Sequence, residues 1–289
     1  MSQVQGAEGT TGLGEATGRL SSTDTLLAEQ PSFWMRRSTI WAARIGIIVA
    51  VLGLWHYSSG RWIREFYIST PGAVFGRLAE WIGTGEIWYH LEVTLQETML
   101  GFLFGALAGF VVGLLLGRIA FLAEVLSPFI VAINSLPKIA LAPLLILWFG
   151  IGLLMKVVLS VIIVFFLVFY NTFTGVRDVD RDLIDIVRTM GGSQRHILTK
   201  IVIPSALLWV FTGLRISIPY ALIGAVVGEI FASNRGIGYL INASSTQFDT
   251  AGVFAGLIVL TAVSMTLSGI LTRVEKRMFR WRQANQPGS

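Results

Sequence analysis

Residues 153–175 read LLMKVVLSVIIVFFLVFYNTFTG, an apolar run in which Lys156 is the one charged residue. Crossing about 30 Å of hydrocarbon takes about 20 helical residues, because every backbone polar group must be satisfied inside the segment. This run therefore predicts a membrane-spanning helix. Five further runs of this kind lie at residues 38–57, 92–117, 122–149, 203–231 and 252–272. Since Pro128, Pro137 and Pro143 interrupt the third run, we expect it to be broken. The sequence predicts an all-α polytopic membrane protein with about six transmembrane helices.

The composition agrees with a membrane protein and excludes several other classes. Of the 289 residues, 54% are hydrophobic and 13% are charged, and the mean hydropathy is +0.69. A soluble domain carries about 25% charged residues, so a disordered chain is excluded and a water-soluble enzyme is disfavoured. The absence of cysteine excludes thiolate metal sites and cysteine nucleophiles. The three histidines are scattered, so we expect no metal site and no catalytic residues.

The chain divides into a membrane domain and two tails. Residues 1–33 are rich in Gly, Ser, Thr and Glu without apolar periodicity, which predicts a disordered tail. That tail lacks the basic-then-apolar order of a cleavable signal peptide, so we expect the first span to stay in the mature protein. The membrane domain covers 34–282 and includes a polar segment at 176–202, and a short C-terminal tail covers 283–289.

Lysine and arginine residues predict the orientation of the spans. Thirteen of them would lie on one face, namely Arg36, Arg37, Arg118, Arg177, Arg181, Arg188, Arg195, Lys200, Arg273, Lys276, Arg277, Arg280 and Arg282. Four would lie on the other face, namely Arg61, Arg64, Arg77 and Arg235. Basic residues concentrate on the cytoplasmic side of membrane proteins. We therefore expect both termini in the cytoplasm, and we attribute the net charge of +5 to a lipid bilayer partner and not to nucleic acid.

A regular series of glycines marks the second span as a packing helix. Glycine recurs at every fourth residue, at Gly101, Gly105, Gly109, Gly113 and Gly117. Positions four apart advance about 40° around a helix, so these glycines form one slowly winding groove. Glycine allows another backbone to approach closely, which is how helices associate in lipid. The helix in the groove is either part of the same chain or part of a second copy.

The polar segment between the fourth and fifth runs has the pattern of a docking element. It reads GVRDVDRDLIDIVRTMGGSQRHILTKIVIPSA from Gly175 to Ala206. Helical spacing places Val179, Leu183, Val187 and Met190 on one face of an otherwise charged helix. Gly191 and Gly192 would end that helix, Ser193 would cap a second short one, and Pro204 would open the fifth span. An apolar face on a charged helix indicates a protein partner, although a solvated loop with incidental amphipathicity is the alternative.

The spacing within this segment resembles a known signature. Asp185, Ile186 and Val187, then Gly191, then Ile201 and Pro204 match the register of the cytoplasmic motif of binding-protein-dependent ABC importer permeases, which is Glu-Ala-Ala, three residues, Gly, nine residues and Ile-x-Leu-Pro. Asp185 replaces Glu, Ile186 and Val187 replace the two alanines, and Ile203 replaces Leu. In that family the segment is a coupling helix that fits a groove on the ATPase subunit. The resemblance therefore implies coupling roles for the family positions together with their neighbours, namely Asp182, Leu183, Asp185, Ile186, Val187, Met190, Gly191, Gly192, Ile201 and Pro204.

The resemblance extends over about residues 65–282. LPKIALAPL at 136–144 with LWFGIG at 147–152, and GEI at 228–230 with GIGYLI at 236–241, resemble the nitrate, taurine, alkanesulfonate and bicarbonate branch, which has the MetI-like fold. The resemblance implies a homodimer in the bacterial inner membrane, two cytoplasmic ATPase subunits and a solute-binding protein outside. ATP and Mg would belong to the ATPase, because this chain has no Walker A motif and is expected to hold no cofactor.

Four polar residues within or beside the spans are candidates for the translocation pathway. Arg215 would either attract an anion there, or bond to carbonyls freed by Pro219, or reach toward the cytoplasm. Asn134 and Lys138 lie where the third run must break, which is either a substrate-facing break or a simple kink. Glu229 lies near the outer end of the fifth run, and Glu97 in the second run is expected to be structural. Arg215 and Lys138 favour an anionic solute.

Two other classes of protein remain alternatives at this point. An ion-gradient-driven secondary transporter would need inverted internal repeats, and none is evident in the sequence. An intramembrane enzyme would need paired acids, a histidine cluster or Ser-His partners within the spans, and none occurs. The sequence therefore predicts a transport subunit without enzymatic activity of its own.

Overall fold

The computed structural model describes residues 37–279, which are helical with no β-strand among them. The predicted tails 1–33 and 283–289, and the basic residues Arg36, Arg280 and Arg282, lie outside this range. The helices are α1 (Arg37–Ser58), α2 (Glu65–Ile68), α3 (Pro71–Thr84), α4 (Glu86–Arg118), α5 (Ala120–Asn134), α6 (Ala142–Phe149), α7 (Leu153–Arg177), α8 (Arg181–Thr189), α9 (Gln194–Ile197), α10 (Ile203–Ala232), α11 (Ile237–Thr246) and α12 (Thr250–Met278). A 3₁₀ turn spans Lys138–Leu141 and a π-helical turn spans Leu198–Val202. The chain forms two compact units, 1–61, of which α1 is described, and 62–289.

The predicted spans agree with the observed helices. Five helices are long and apolar enough to cross a membrane, and a bent pair made by α5 and α6 can supply a sixth crossing. The run at 153–175 becomes α7, Leu153–Arg177, and the run at 203–231 becomes α10, Ile203–Ala232. The fold class predicted from the sequence is thus confirmed, because hydrophobic run length alone determines where a helix can enter lipid.

Helix α7 is the centre of the second unit. It packs along α4 on one side and along α10 on the other. Gly101 of α4 lies against Ser160 and Gly117 lies against Val176, so α4 and α7 run in the same direction. Gly213 of α10 lies against Asn171 and Gly228 lies against Lys156, so α10 runs in the opposite direction. The buried residues of α7 are accordingly spread around the helix rather than confined to one face.

The predicted break in the third run is present and has a topological role. The two halves, Phe121–Asn134 and Lys138–Phe149, meet at an angle of 77°. Because α4 and α7 are parallel, the chain has to return between them, and this bent pair is the segment that does so. Pro137 precedes the 3₁₀ turn, Pro143 lies in the first turn of α6, and Pro128 is accommodated inside α5.

The helices of the second unit finish at two ends. The hairpin end is where α4 and α7 finish, at Arg118 and Arg177, and it carries α8 and α9. The opposite end carries α3 and α11. There Thr70 caps α3, as its hydroxyl accepts from the Ala73 amide at 3.2 Å, and Pro71 occupies the first helical turn.

Candidate functional site

Helices α8 and α9 form a helical hairpin whose turn is defined by backbone hydrogen bonds. The Gly192 amide donates to the Val187 carbonyl at 2.8 Å, and the Gly191 amide donates to the Arg188 carbonyl at 3.0 Å. Gly191 has φ +78°, which is the left-handed conformation of a Schellman C-cap. A Cβ on Gly192 would lie 2.4 Å from Cγ1 of Val187. Both glycines are therefore required by the turn, one for its dihedral angle and the other for space.

Side-chain caps begin both helices of the hairpin. Asp180 Oδ1 accepts from the Asp182 amide at 2.9 Å at the start of α8, and Ser193 Oγ accepts from the His196 amide at 3.4 Å at the start of α9. Asp185 and Arg188 pair at 3.1 Å on the exposed side of α8. These local contacts set the shape of the hairpin without help from a partner.

The predicted apolar stripe is divided, because Val179 lies before α8 begins at Arg181 and the other members lie on two faces. Val179 is buried and Val187 is half-buried against a cluster that includes Val176, Ile197 and Val202. Leu183, Ile186 and Met190 are 48%, 53% and 81% exposed. The first face attaches the hairpin to the spans. The second face, which we call the hairpin face (Leu183, Ile186, Met190), is an unpartnered apolar surface on a segment too polar to enter lipid.

The hairpin is joined to α10 by continuous helical backbone. Helix α9 leads into the π-helical turn Leu198–Val202 and directly into α10. Residues Gln194–Ala232 form one helical segment of 39 residues. Ile201 lies in the π-helical turn, and Pro204 follows that turn as the second residue of α10. The hairpin is therefore connected to α10 by helix and not by a loop.

The glycine series of α4 packs against α7 of the same chain. A Cβ on Gly105 would lie 2.8 Å from the Val161 carbonyl oxygen, and one on Gly109 would lie 2.7 Å from the Phe165 carbonyl oxygen. A Cβ on Gly113 would lie 2.8 Å from the Phe169 carbonyl oxygen. These distances are shorter than van der Waals contact, so the two helix backbones touch along this line. Of the two partners that the sequence left open, the structure places α7 in the groove.

A second line of small residues, which the sequence analysis did not identify, packs α10 against α7. A Cβ on Gly224 would lie 2.8 Å from the Ser160 Cα, and one on Gly175 would lie 2.4 Å from the Trp209 Cβ. The Ser160 hydroxyl donates to the Ala221 carbonyl at 2.9 Å, which adds a polar contact between α7 and α10. Helix α7 is thus in close contact with α4 and α10 through backbone on both sides.

A buried polar network joins α4, α7 and the loop after α10 near the opposite end. Lys156 of α7 forms an ion pair with Glu97 of α4, with side chains 5% and 1% exposed. The Lys156 ammonium also donates to the Ser233 hydroxyl at 3.1 Å, and Ser233 donates to the Arg235 carbonyl at 2.7 Å. The network therefore connects α4 and α7 to the loop that follows α10. Glu97 has a structural contact, as predicted, but its partner Lys156 was missed.

Glu229 belongs to an adjacent part of this network. The Thr94 hydroxyl donates to Glu229 Oε1 at 2.6 Å, and the Gly238 amide donates to Oε2 at 2.6 Å. Thr94 in turn accepts from the Ile237 amide at 2.8 Å. Glu229 has no exposed surface, so a role in translocation would require this network to open, and that role stays a prediction.

The other pathway candidates lie in different surroundings. Lys138 is half-buried at the break, where its ammonium donates to the Asn134 carbonyl at 2.8 Å and to Oδ1 of Asn134 at 3.3 Å. It lies over the ring of Phe166 at 5.0 Å. Arg215 forms an ion pair with Glu275 of α12, a partner that none of the three interpretations of Arg215 included. The structure does not bring Lys138, Arg215 and Glu229 together as one site.

Metal coordination finds no support in the part of the chain that the structure describes. No group of three or more His, Asp or Glu side chains within residues 37–279 is arranged to hold an ion. The described residues form a closely packed core of α4, α7 and α10, a buried polar network at the opposite end and an exposed hairpin.

Residues 101–280 match the family described as "Binding-protein-dependent transport system inner membrane component". The chain belongs to this family. It is therefore a multi-pass inner-membrane permease of the ABC importer type. The match begins at the first glycine of the α4 series and includes α7, the hairpin, α10 and α12, which are the elements described above.

Curated relatives of the permease differ in what they transport. The riboflavin transport system permease protein RibX of Chloroflexus aurantiacus is 34% identical over 216 residues, which are 75% of this chain and 81% of that protein. The taurine transport system permease protein TauC of Escherichia coli is 27% identical over 243 residues, which are 82% of this chain and 88% of that protein. The resemblance to the taurine branch inferred from the sequence is thus confirmed.

A solved structure shares the fold of the permease. The inward-facing MetNI methionine ABC transporter superposes with a TM-score of 0.56 at 20% identity, covering 63% of this chain and 91% of that chain. At this identity the likeness shows the fold alone. It agrees with the MetI-like fold inferred from the sequence.

Proposed function

We propose that the chain is the membrane-spanning half of an ATP-driven importer that acts as a homodimer. Each copy would bind one of two ATPase subunits through the hairpin face, and the dimer would receive its solute from a binding protein outside. ATP and Mg would reside in the ATPase, and both termini would lie in the cytoplasm. The coupling residues would be those of the hairpin, from Asp182 to Pro204.

The observation that carries this proposal is the hairpin face. Leu183, Ile186 and Met190 are about half to four-fifths exposed, on a helix whose ends are fixed by caps and by the Gly191–Gly192 turn. Exposed apolar clusters on otherwise charged elements mark protein contacts. The continuous helix from α9 into α10 supports a mechanism in which closure of the ATPase tilts α10. The two lines of glycine contacts would then carry that tilt through α7 to α4.

A small anionic solute is the substrate class that we propose. Lys138 supports it, since no carboxylate within residues 37–279 pairs with this half-buried ammonium at the break of the third span. Arg215 gives less support than the sequence suggested, because Glu275 neutralises it. One relative is named for taurine, which carries a sulfonate, and another for riboflavin, which is neutral at pH 7. The relatives therefore do not decide the solute.

The substrate class is tested on the companion binding protein, which selects the solute before the permease meets it. A thermal-shift screen against nitrate, bicarbonate, taurine, alkanesulfonates, aromatic carboxylates and pyrimidines should give stabilisation by an anion. Stabilisation by a neutral pyrimidine, with none by the anions, would contradict the proposed class while leaving the transport mechanism intact.

The coupling role is tested by placing charge on the hairpin face. The L183D/M190D variant should lose co-purification with the ATPase and ATP-driven uptake in proteoliposomes. We expect a loss of about tenfold or more per residue, as for buried anchor residues of interfaces. Thr189→Asp is the matched control, because Thr189 is exposed on the same helix outside the hairpin face. It should keep both activities.

Two outcomes would overturn the coupling assignment. One is normal ATPase binding and uptake by L183D/M190D in protein that is correctly inserted. The other is uptake by the chain alone, driven by an ion gradient and independent of ATP, which would favour a secondary transporter instead.

A further inference from the structure

A polar cavity at the hairpin end has a composition that transport does not explain. Its volume is about 250 Å³, and it lies between the ends of α4 and α7 and the two helices of the hairpin. Arg118, Arg177 and Arg188 line it together with Gln194, above a floor that includes Val176 and Ile197. The three arginines come from three different helices, so only the folded chain brings them together.

Acidic residues are absent from the lining of this cavity. Arg188 pairs with Asp185, but no described carboxylate forms an ion pair with Arg118 or Arg177. Arg177 has a contact of another kind, with its guanidinium 5.7 Å from the centre of the Phe173 ring. Two other acids of the hairpin segment, Asp178 and Asp180, line a neighbouring cavity with Lys200. The lining thus includes two arginines, Arg118 and Arg177, that have no acidic partner among the described residues.

We propose that this cavity binds a phosphate-bearing anion, and that the anion is the headgroup of an acidic phospholipid. Guanidinium groups present paired donors that match phosphate oxygens, so three of them around one cavity form a recognisable phosphate site. The cavity lies where the apolar helices α4 and α7 finish, at Arg118 and Arg177, which is the depth of lipid headgroups. Basic pockets between helix ends bind acidic lipid headgroups in this way. A bound headgroup would connect the span ends to α8 and hold the hairpin in place.

The test compares two double variants that remove the same charge from the full-length chain. R118Q/R177Q removes the unpaired arginines of the cavity, and R273Q/R277Q removes two exposed arginines near the end of α12 that lie outside it. Apparent affinities for phosphatidylglycerol and phosphatidylcholine are measured by native mass spectrometry in detergent. The wild type and R273Q/R277Q should prefer phosphatidylglycerol. R118Q/R177Q should lose about fivefold in affinity per arginine.

A soluble-anion arm identifies the source of the phosphate. Inorganic phosphate is titrated against each protein in phosphatidylcholine nanodiscs while thermal stability is recorded. Stabilisation that is lost only in R118Q/R177Q, without a preference for phosphatidylglycerol, supports the site with a free anion as its occupant. Equal lipid and phosphate responses in the two double variants would overturn the proposal.

A third variant keeps the test decisive if R118Q/R177Q fails to fold. R118K/R177K retains the charge but loses the paired donors, so its affinity for phosphatidylglycerol should fall below that of the wild type. An affinity equal to that of the wild type would show nonspecific charge attraction, and the proposed site would be wrong.

Discussion

The pairing of Lys156 with Glu97 is a buried ion pair between two helices of the core. Both side chains are almost fully buried, and they join the central helix to its neighbour. A buried charge that keeps its partner is tolerated, whereas one left alone in an apolar interior is strongly destabilising. The pair therefore specifies the relative position of α4 and α7 near the opposite end more strictly than apolar packing alone would.

Removing one partner of this pair should cost far more than removing both. Lys156→Met should destabilise the protein by about 3–5 kcal/mol, because the buried Glu97 would lose the ammonium that compensates its charge. The double variant E97Q/K156M should recover most of that loss. Melting temperatures of the purified protein in one detergent measure both effects. A double variant as unstable as Lys156→Met would show that the ammonium acts mainly through Ser233.

Sequence reasoning at this scale recognised charges but not their partners. Glu97 and Lys156 are 59 positions apart, and Arg215 and Glu275 are 60 apart. Nothing in local periodicity links such positions, because the pairing depends on which helices become neighbours. Residues whose roles are local, such as the Ser193 cap and the Gly191 turn, could be predicted, because their partners lie within a few residues along the chain.

At the scale of elements, close backbone contact holds α4, α7 and α10 together. Lipid supplies no hydrophobic force between helices, so their association depends on packing and on polar contacts. The four-residue period of the glycines predicted the close contact of α4 with another helix, because all five glycines lie on α4. The sequence did not predict the close contact between α7 and α10. There, glycines of α10 lie against Ser160, Asn171 and Lys156 of α7, and no periodic pattern connects these residues.

A β-branched side chain at the glycine contact between α4 and α7 should separate these two helices. In Gly109→Val, the new Cβ would lie 2.7 Å from the Phe165 carbonyl oxygen and 2.9 Å from the Phe169 amide nitrogen. Since neither backbone group can move away without moving α7, the yield of folded protein should fall severalfold. Gly46→Val is the matched control, because Gly46 lies in α1 with nothing within 4 Å of its Cβ position. Fluorescence-detected size exclusion measures both, and equal yields would contradict this contact.

At the scale of the whole molecule, charge and topology agree. Arg118, Arg177 and Arg188 lie at the hairpin end, whereas Arg77 and Arg235 lie at the opposite end, near α3 and α11. The number and bounds of the spans could be predicted because they follow from hydropathy. The division of the α8 stripe into a packed face and an exposed face could not, since it depends on where Val179 and Val187 meet α7 and α10.

The positive-inside rule predicts that the hairpin end lies in the cytoplasm, and the proposed mechanism requires that orientation because ATP is available there. The chain has no cysteine, so single cysteines can report the orientation. Arg195→Cys lies on the hairpin, and Gln247→Cys lies in the turn between α11 and α12, and both positions are exposed. In intact spheroplasts expressing the chain without its ATPase, a membrane-impermeant maleimide should label Gln247→Cys at once and Arg195→Cys only after permeabilisation. The unmodified chain is the blank, and labelling in SDS gives the total. Labelling of Arg195→Cys in intact spheroplasts would place the hairpin outside, beyond the reach of any cytoplasmic ATPase, and the coupling mechanism would fail with it.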